Sequence, residues 1–200
     1  MAGVYAQLLV IQTTHLYALS YSEENSWRKC MLNFGKVSVT KGLGEWIALH
    51  KRMAPKMSEA GMFFRFVAAD PNEETLFLVI EMTGDVGEIL ESTNSPEALK
   101  MREASGVRVE TQEIISPLQE HKVCATEATS NSQKIAGEIE IPDDFNLEDS
   151  ASYLNFSDKE LLIWSGISLE ADKLYFIAEC KEVDVSGCEA ISEIQALYYP

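Results

Sequence analysis

One histidine lies among residues that could line a binding site. His50 follows a three- and four-residue spacing with Trp46, Met53 and Met57, which places all four side chains on one face of a predicted helix. An imidazole has an ordinary pKa of about 6.5, so it can accept a proton at neutral pH or ligate haem iron. The sequence therefore offers His50 as a catalytic base. The alternative is a half-buried helix histidine with one hydrogen bond.

Methionine and aromatic residues are concentrated around this histidine, with Met62 and Phe63 just beyond the helix. Thioethers and aromatic rings adapt well to flat, apolar molecules. The residues predicted to bind such a ligand are Trp46, Met53, Met57, Phe64 and Phe66. Ordinary core packing is the competing interpretation of the same set.

The common motifs of catalysis and metal binding are absent. The sequence has no Walker loop and no GxGxxG, HExxH or GxSxG motif, and its three histidines assemble no triad. Asp144, Asn146 and Glu148 have the spacing of calcium ligands, but Asp149 stands where such a loop requires glycine and Asn155 where it requires glutamate. This segment is predicted to be a solvated turn, and we predict neither a metal nor a cofactor.

Composition and charge indicate an acidic globular protein. A chain of 200 residues, 46% of them hydrophobic, can bury a full core. The net charge of −16 favours solubility and disfavours nucleic acid and anionic membranes as partners. The four cysteines form no CxxC pair, so we expect reduced thiols and a cytoplasmic location. Residues 1–30 lack the basic region of a signal peptide and form an extension without an assigned role.

Residues 31–118 are predicted to form a βαββαβ module. The predicted strands are Leu32–Thr40, Met62–Ala69, Thr75–Met82 and Val107–Ile115, the last stopped by Pro117. The helix that carries His50 ends at Gly61, and Pro55 predicts a kink or a second short turn in it. Two further helices are expected over Asp85–Glu91 and Pro96–Ser105.

Residues 119–133 are polar and predict a linker, and residues 134–200 are interpreted as a second, divergent ferredoxin-like module. The predicted strands are Lys134–Ile141, Leu161–Leu169, Lys173–Cys180 and Gln195–Tyr199, and the predicted helices are Leu147–Phe156 and Ser186–Ile194. The hairpins that begin at Phe63 and Leu162 both place an acidic turn between apolar strands, which indicates an internal structural repeat.

Several short motifs in residues 34–118 occur together in a known group of proteins. They are Glu45 with Trp46, the segment Ala54–Met57, Gly61, Asp70 with Pro71, and the segment Ser95–Gly106. With these motifs the stretch resembles small, uncharacterised bacterial proteins of the ferredoxin-like, dimeric α+β barrel superfamily. The resemblance implies that two sheets pair face to face. It selects no activity, because the superfamily includes cofactor-free monooxygenases, haem-degrading enzymes and dehydratases.

The expected fold is therefore α+β, with two tandem ferredoxin-like modules packed sheet to sheet. A four-stranded sheet with helices on one face needs cover on the other, and Phe64, Phe66, Leu76, Leu78 and Ile80 offer more apolar surface than one helical layer requires. The chain is then a monomer with an internal pair of modules, or part of a homodimer. Two functions fit: a binding or assembly protein holding a small apolar ligand between helix and sheet, or a cofactor-independent monooxygenase- or isomerase-like enzyme with His50 as base.

Overall fold

A computed structural model describes residues 31–123, 133–141, 162–168, 173–180, 190–198 and 200. The strands in these ranges are β1 (Met31–Val39), β2 (Met62–Ala69), β3 (Thr75–Met82), β4 (Val107–Val123), β5 (Gln133–Glu140), β6 (Leu162–Ser168), β7 (Lys173–Cys180), β8 (Ala190–Ile194) and β9 (Ala196–Tyr198). The helices are α1 (Gly42–Ala60), α2 (Val86–Thr93) and α3 (Pro96–Ala104). None of the helices in these ranges is both long and apolar enough to cross a membrane.

The ends of the helices follow from local chemistry. Asp85 and Ser95 accept hydrogen bonds from backbone N–H groups in the first turns of α2 and α3, as N-caps do. Gly61 ends α1 in the left-handed conformation, with φ of 82°. Pro55 lies inside α1, which is one helix from Gly42 to Ala60 and not two. The end of α1 at Gly61 therefore lies where the sequence predicted it, and the helix continues through Pro55.

The nine strands of the described ranges belong to one sheet with the order β8-β5-β7-β6-β4-β1-β3-β2-β9. Within the first half, β4-β1-β3-β2 is the antiparallel order of a ferredoxin-like unit. The second half, β8-β5-β7-β6, repeats that order with its own first, second, third and fourth strands. The expected fold class, α+β with tandem ferredoxin-like units, is confirmed.

Two stretches of chain join the halves. The early part of β4 pairs with β1, and its end, from Gln119 to Val123, pairs with β6. The second stretch is the consecutive pair of strands β8 and β9. Strand β8 pairs with β5 of the second half, and β9 pairs with β2 of the first half. Gln195, which separates β8 from β9, donates its backbone N–H to the carbonyl oxygen of Ala69 at 2.9 Å. The sheet therefore closes into a barrel, with α1 to α3 packed outside its first half.

Strand β4 is longer than the sequence predicted. Its predicted end at Ile115 is wrong, because the strand continues past Pro117 to Val123 and takes in the first residues of the predicted linker. Phe34 pairs with Ile115 and Leu32 pairs with Leu118, so three steps along β4 oppose two along β1. A bulge of this kind accommodates a proline, which has no N–H for a regular ladder.

The predicted helix over Ser186–Ile194 is also wrong at its end. Ala190–Ile194 forms β8, with Ala190 opposite Glu138 and Ile194 opposite Lys134. Five successive pairs with β5 outweigh a weak local helical preference. The other helix predicted in the second half, over Leu147–Phe156, lies outside the described residues.

The sheet separates two hydrophobic cores. Along β1, even-numbered residues face the barrel lumen and odd-numbered residues face the helices, so Phe34 and Val37 belong to different cores. The lumen core contains Leu32, Phe34, Phe66, Ala68, Phe77, Val79, Leu118, Ala136, Ile163, Trp164, Tyr175, Ile177 and Ile194. Leu76, Leu78 and Ile80 belong to the set that was expected to offer more apolar surface than one helical layer requires, and all three pack under the helices. Their neighbours Phe77 and Val79 meet residues from the second half of the chain in the lumen core.

Trp164 gives a direct test of the lumen packing. A Cβ atom on Gly166 would lie 2.6 Å from Cζ2 of the Trp164 indole, whereas one on Gly44 of α1 would meet no atom within 4 Å. We expect Gly166→Ala to lower the free energy of unfolding by about 1–3 kcal/mol because it overpacks the lumen. Gly44→Ala should raise it by about 0.5 kcal/mol, because alanine restricts the unfolded chain. Urea unfolding followed by circular dichroism measures both, and equal effects would contradict the packing described.

Candidate functional site

Helix α1 brings His50 against two aromatic rings. Trp46 and His50 are one helical turn apart, and their rings stack with 5.4 Å between centroids and an interplanar angle of 1°. Phe64, from the neighbouring strand β2, meets both edge-on, at 5.0 Å from Trp46 and 5.3 Å from His50. The sequence-predicted trio of Trp46, His50 and Phe64 is therefore brought together between helix and sheet.

The surroundings of His50 favour its neutral form. Burial lowers the pKa of the imidazole from its ordinary value, because a charged ring loses hydration there. Nδ1 is buried and has no hydrogen-bond partner among the described residues. A buried polar atom without a partner costs about 1–3 kcal/mol, so this nitrogen is an unusual feature of the helix–sheet layer.

A bulge in β2 separates two predicted ligand-binding residues. Phe64 pairs with Ile80 and Phe66 with Val79, so Arg65 is the extra residue between them. Ile80 faces the helices, whereas Val79 faces the lumen. Phe66 accordingly lies in the lumen core, 6.0 Å from Trp164 between ring centroids, and on the opposite face of the sheet from His50.

A cleft opens along the C-terminal half of α1, where this helix faces α2 and α3. Its volume is about 120 Å³. Four methionines from three different elements line it: Met53, Met57, Met62 and Met101. Ile89 of α2 and Ala98 of α3 add buried apolar surface. The cleft includes the predicted residues Met53 and Met57, but not Trp46, His50 or Phe64.

The rim of this methionine cleft carries opposite charges. Arg52 and Lys56 lie one helical turn apart on the exposed side of α1, and Glu97 lies in the first turn of α3. Arg52 also donates a hydrogen bond to the Ser105 hydroxyl at 3.1 Å. Among the rim hydroxyls, that of Thr93 donates to the carbonyl oxygen of Ile89. Two cations against one carboxylate leave the mouth of the cleft locally positive.

The sequence identified part of this arrangement. The regular spacing on α1 revealed Met53 and Met57, and Met62 followed the helix, but Phe63 is 40% exposed and takes no part. Met101 and Ile89 were missed, since their approach depends on how α2 and α3 fold back over the sheet. Arg52 and Lys56 were also missed, although their four-residue spacing was a usable signal.

Comparisons with known proteins agree with the fold described above. No protein-family model and no curated protein matches the sequence. The crystal structure of a candidate monooxygenase from Lactobacillus acidophilus NCFM is similar, with a TM-score of 0.51 and 13% identity, over 85% of this chain and 96% of that one. A candidate monooxygenase from Fusobacterium nucleatum subsp. nucleatum has a TM-score of 0.49, also at 13% identity, over 86% of this chain and 95% of that one. At such low identity the first likeness establishes a shared fold and nothing about activity.

The lowered pKa of His50 predicts a pH-dependent stability. Between the native pKa and the ordinary value of 6.5, the unfolded chain binds a proton that the native chain resists, so stability falls as the pH falls through this window. His50→Phe keeps a ring against Trp46 but cannot titrate. The free energy of unfolding of the wild type minus that of the variant should therefore be constant above pH 7.5 or so and decrease below about 6.5. A difference that does not vary between about pH 8 and 5 would contradict the burial of this imidazole.

Proposed function

We propose that this protein binds a small molecule with an apolar, ring-sized body and one anionic group in the methionine cleft. The observation that carries the proposal is the convergence of four methionines from α1, β2 and α3 beneath a basic rim. Flexible thioethers adapt to different apolar shapes. The ligand would then lie between helix and sheet, as the sequence predicted, but next to Met57 and not next to His50.

The size of the cleft limits the ligand. A closed apolar cavity of roughly 150 Å³ in another protein is enough to hold benzene. A cleft of about 120 Å³ that opens to solvent therefore suits one ring or a short branched chain. Larger ligands would have to leave part of their surface outside.

Charge supports an anionic group on this ligand. The chain as a whole carries −16, so its average field repels anions. Arg52 and Lys56 reverse that field locally, and both are exposed enough to turn toward a bound carboxylate. An anion that reaches the cleft would gain a charge-assisted hydrogen bond from either residue.

Phenylacetate is a suitable probe, with benzyl alcohol as its neutral counterpart. In protein labelled with ¹³C at the methionine methyl groups, phenylacetate should shift the signals of Met53, Met57, Met62 and Met101 in a saturable way. Met31, whose sulfur lies beside Ser116, should not respond. Lys56→Gln should weaken phenylacetate binding about threefold, the effect of one exposed ion pair, and leave benzyl alcohol binding unchanged.

Lys51→Gln is the matched control, because Lys51 is an exposed neighbour on α1 that does not line the cleft. Equal binding of both probes would remove the anionic group from the proposal. The absence of saturable methyl shifts would overturn the proposal altogether.

A second hypothesis is a cofactor-independent, monooxygenase- or isomerase-like enzyme in which His50 is the base. It is favoured by the lowered pKa of His50 and by its Nδ1, which has no hydrogen-bond partner among the described residues and so is not engaged by the fold. Against it, the methionine cleft does not touch His50, so a substrate would have to displace a neighbouring ring.

Oxygen uptake with an electron-rich hydroxyaromatic substrate tests the enzymatic hypothesis. If His50 removes the substrate proton, His50→Gln should lower turnover by about 10²-fold or more, the usual contribution of a general base. Lys51→Gln should leave turnover unchanged. Turnover that survives in the folded His50→Gln protein would exclude His50 as the base.

The oligomeric state, the domain division and the cellular location of the chain are also proposals. Since one chain contains both halves of the barrel, we propose a monomer, and light scattering can measure its mass. The division into an extension (1–30), two modules (31–118 and 134–200) and a connecting segment is likewise proposed, and limited proteolysis would test it. A cytoplasmic location with reduced cysteines stays a prediction.

A further inference from the structure

A second cavity, of about 80 Å³, lies at one end of the barrel lumen. Its walls come from both halves of the chain: Phe34, Lys36, Phe77 and Glu113 from the first half, and Glu138 and Tyr175 from the second. It lies on the opposite face of the sheet from the methionine cleft. No step of the proposed function uses it.

Three aromatic rings, those of Phe34, Phe77 and Tyr175, line this lumen cavity. The Phe34 ring lies 5.3 Å from that of Tyr175 and 6.4 Å from that of Phe77, measured between centroids. Phe34 and Tyr175 are both buried in the lumen core, so packing on several sides fixes the positions of their rings. The cavity is thus lined by aromatic rings that are held in place, and the Lys36 ammonium lies over the ring of Phe77.

Two carboxylates line the same cavity, together with the ammonium group of Lys36. Glu113 and Glu138 line the cavity, and Glu138 is bound to Lys173 with 2.5 Å between Oε1 and Nζ. Burial raises the pKa of Tyr175, and the carboxylates of Glu138 and Glu113 raise it further while Lys173 opposes them. Carboxylates beside aromatic rings are surroundings that favour an organic cation.

A cation of the chain already stands at this position. The ammonium group of Lys36 lies 6.0 Å from the centroid of the Phe77 ring, at the outer limit of a cation–π contact. Lys36 is exposed, so its flexible side chain can leave the cavity without unfolding any element. The same place can then be taken by a cation that is not attached to the chain.

We propose that the end of the barrel lumen is a binding site for a small methylated ammonium ion, which displaces the Lys36 ammonium from Phe77. The volume of about 80 Å³ is that of two to three water molecules, at about 30 Å³ each. With the Lys36 side chain moved away, this cavity holds part of an ammonium head group, and the remaining substituents extend past Lys36 into solvent. Because strands of both halves contribute walls, the bound cation contacts both.

Tetramethylammonium chloride is the probe, and tert-butanol is a neutral molecule of similar shape. Titration should shift the backbone amide signals of Ala136 and Gly137, which line the cavity, in a saturable way with tetramethylammonium and not with tert-butanol. Sodium chloride at equal concentration corrects for ionic strength. Lys36→Met removes the competing ammonium and keeps the stem, so it should tighten tetramethylammonium binding by about threefold or more.

Lys51→Met, at an exposed site on α1, should bind the probe as the wild type does. Glu138→Gln should weaken binding, and circular dichroism verifies that each variant is folded. Equal responses to tert-butanol and tetramethylammonium would overturn the proposal, as would the absence of any saturable shift in Lys36→Met. Neither outcome bears on phenylacetate binding, because the methionine cleft lies on the other face of the sheet.

Discussion

The barrel depends on aromatic packing in its lumen. The Trp164 ring of the second half stacks on Phe34 of the first, with 5.8 Å between centroids and 5° between planes, and Phe66 meets it edge-on. Each such pair stabilises by about 0.5–1.5 kcal/mol beyond the area it buries. Without this contact the lumen face of β1, β2 and β3 would be exposed apolar surface. The methionine cleft also depends on it, because the strand beneath that cleft is held in place from the lumen side.

Much of this fold could be predicted from local sequence. Alternating apolar residues indicated β1 and β5, segments rich in Phe, Val, Leu and Ile indicated β2 and β3, and Gly61 indicated the end of α1. The face of the sheet on which each side chain lies was predicted less accurately, because a bulge interrupts the regular alternation of side chains along a strand. The extra residue Arg65 in β2 moves Phe66 to the lumen. Its position depends on how β2 pairs with β3, which the sequence of β2 alone does not specify.

In the candidate site, likewise, only the residues that lie close together along the chain could be grouped from the sequence. Residues within one helix keep a fixed spacing, so Trp46 with His50, and Met53 with Met57, could be grouped from their positions along the chain. Met101, Ile89 and the lumen residue Tyr175 join their sites from distant elements. Their positions depend on the strand order and on the length of β4, whose second part finds a partner only in β6 among the described strands. The positions of these residues therefore follow from long-range strand pairing, which local sequence patterns do not specify.

The joining of two ferredoxin-like units in one chain has a consequence for symmetry. In a barrel built from two identical subunits, every substitution appears twice, so both halves must tolerate it and both carry the same sites. Here β4 and the β8–β9 segment make the same cross-connections within a single polypeptide. Each half can therefore change independently of the other, and a residue such as Tyr175 can specialise without altering its counterpart across the barrel.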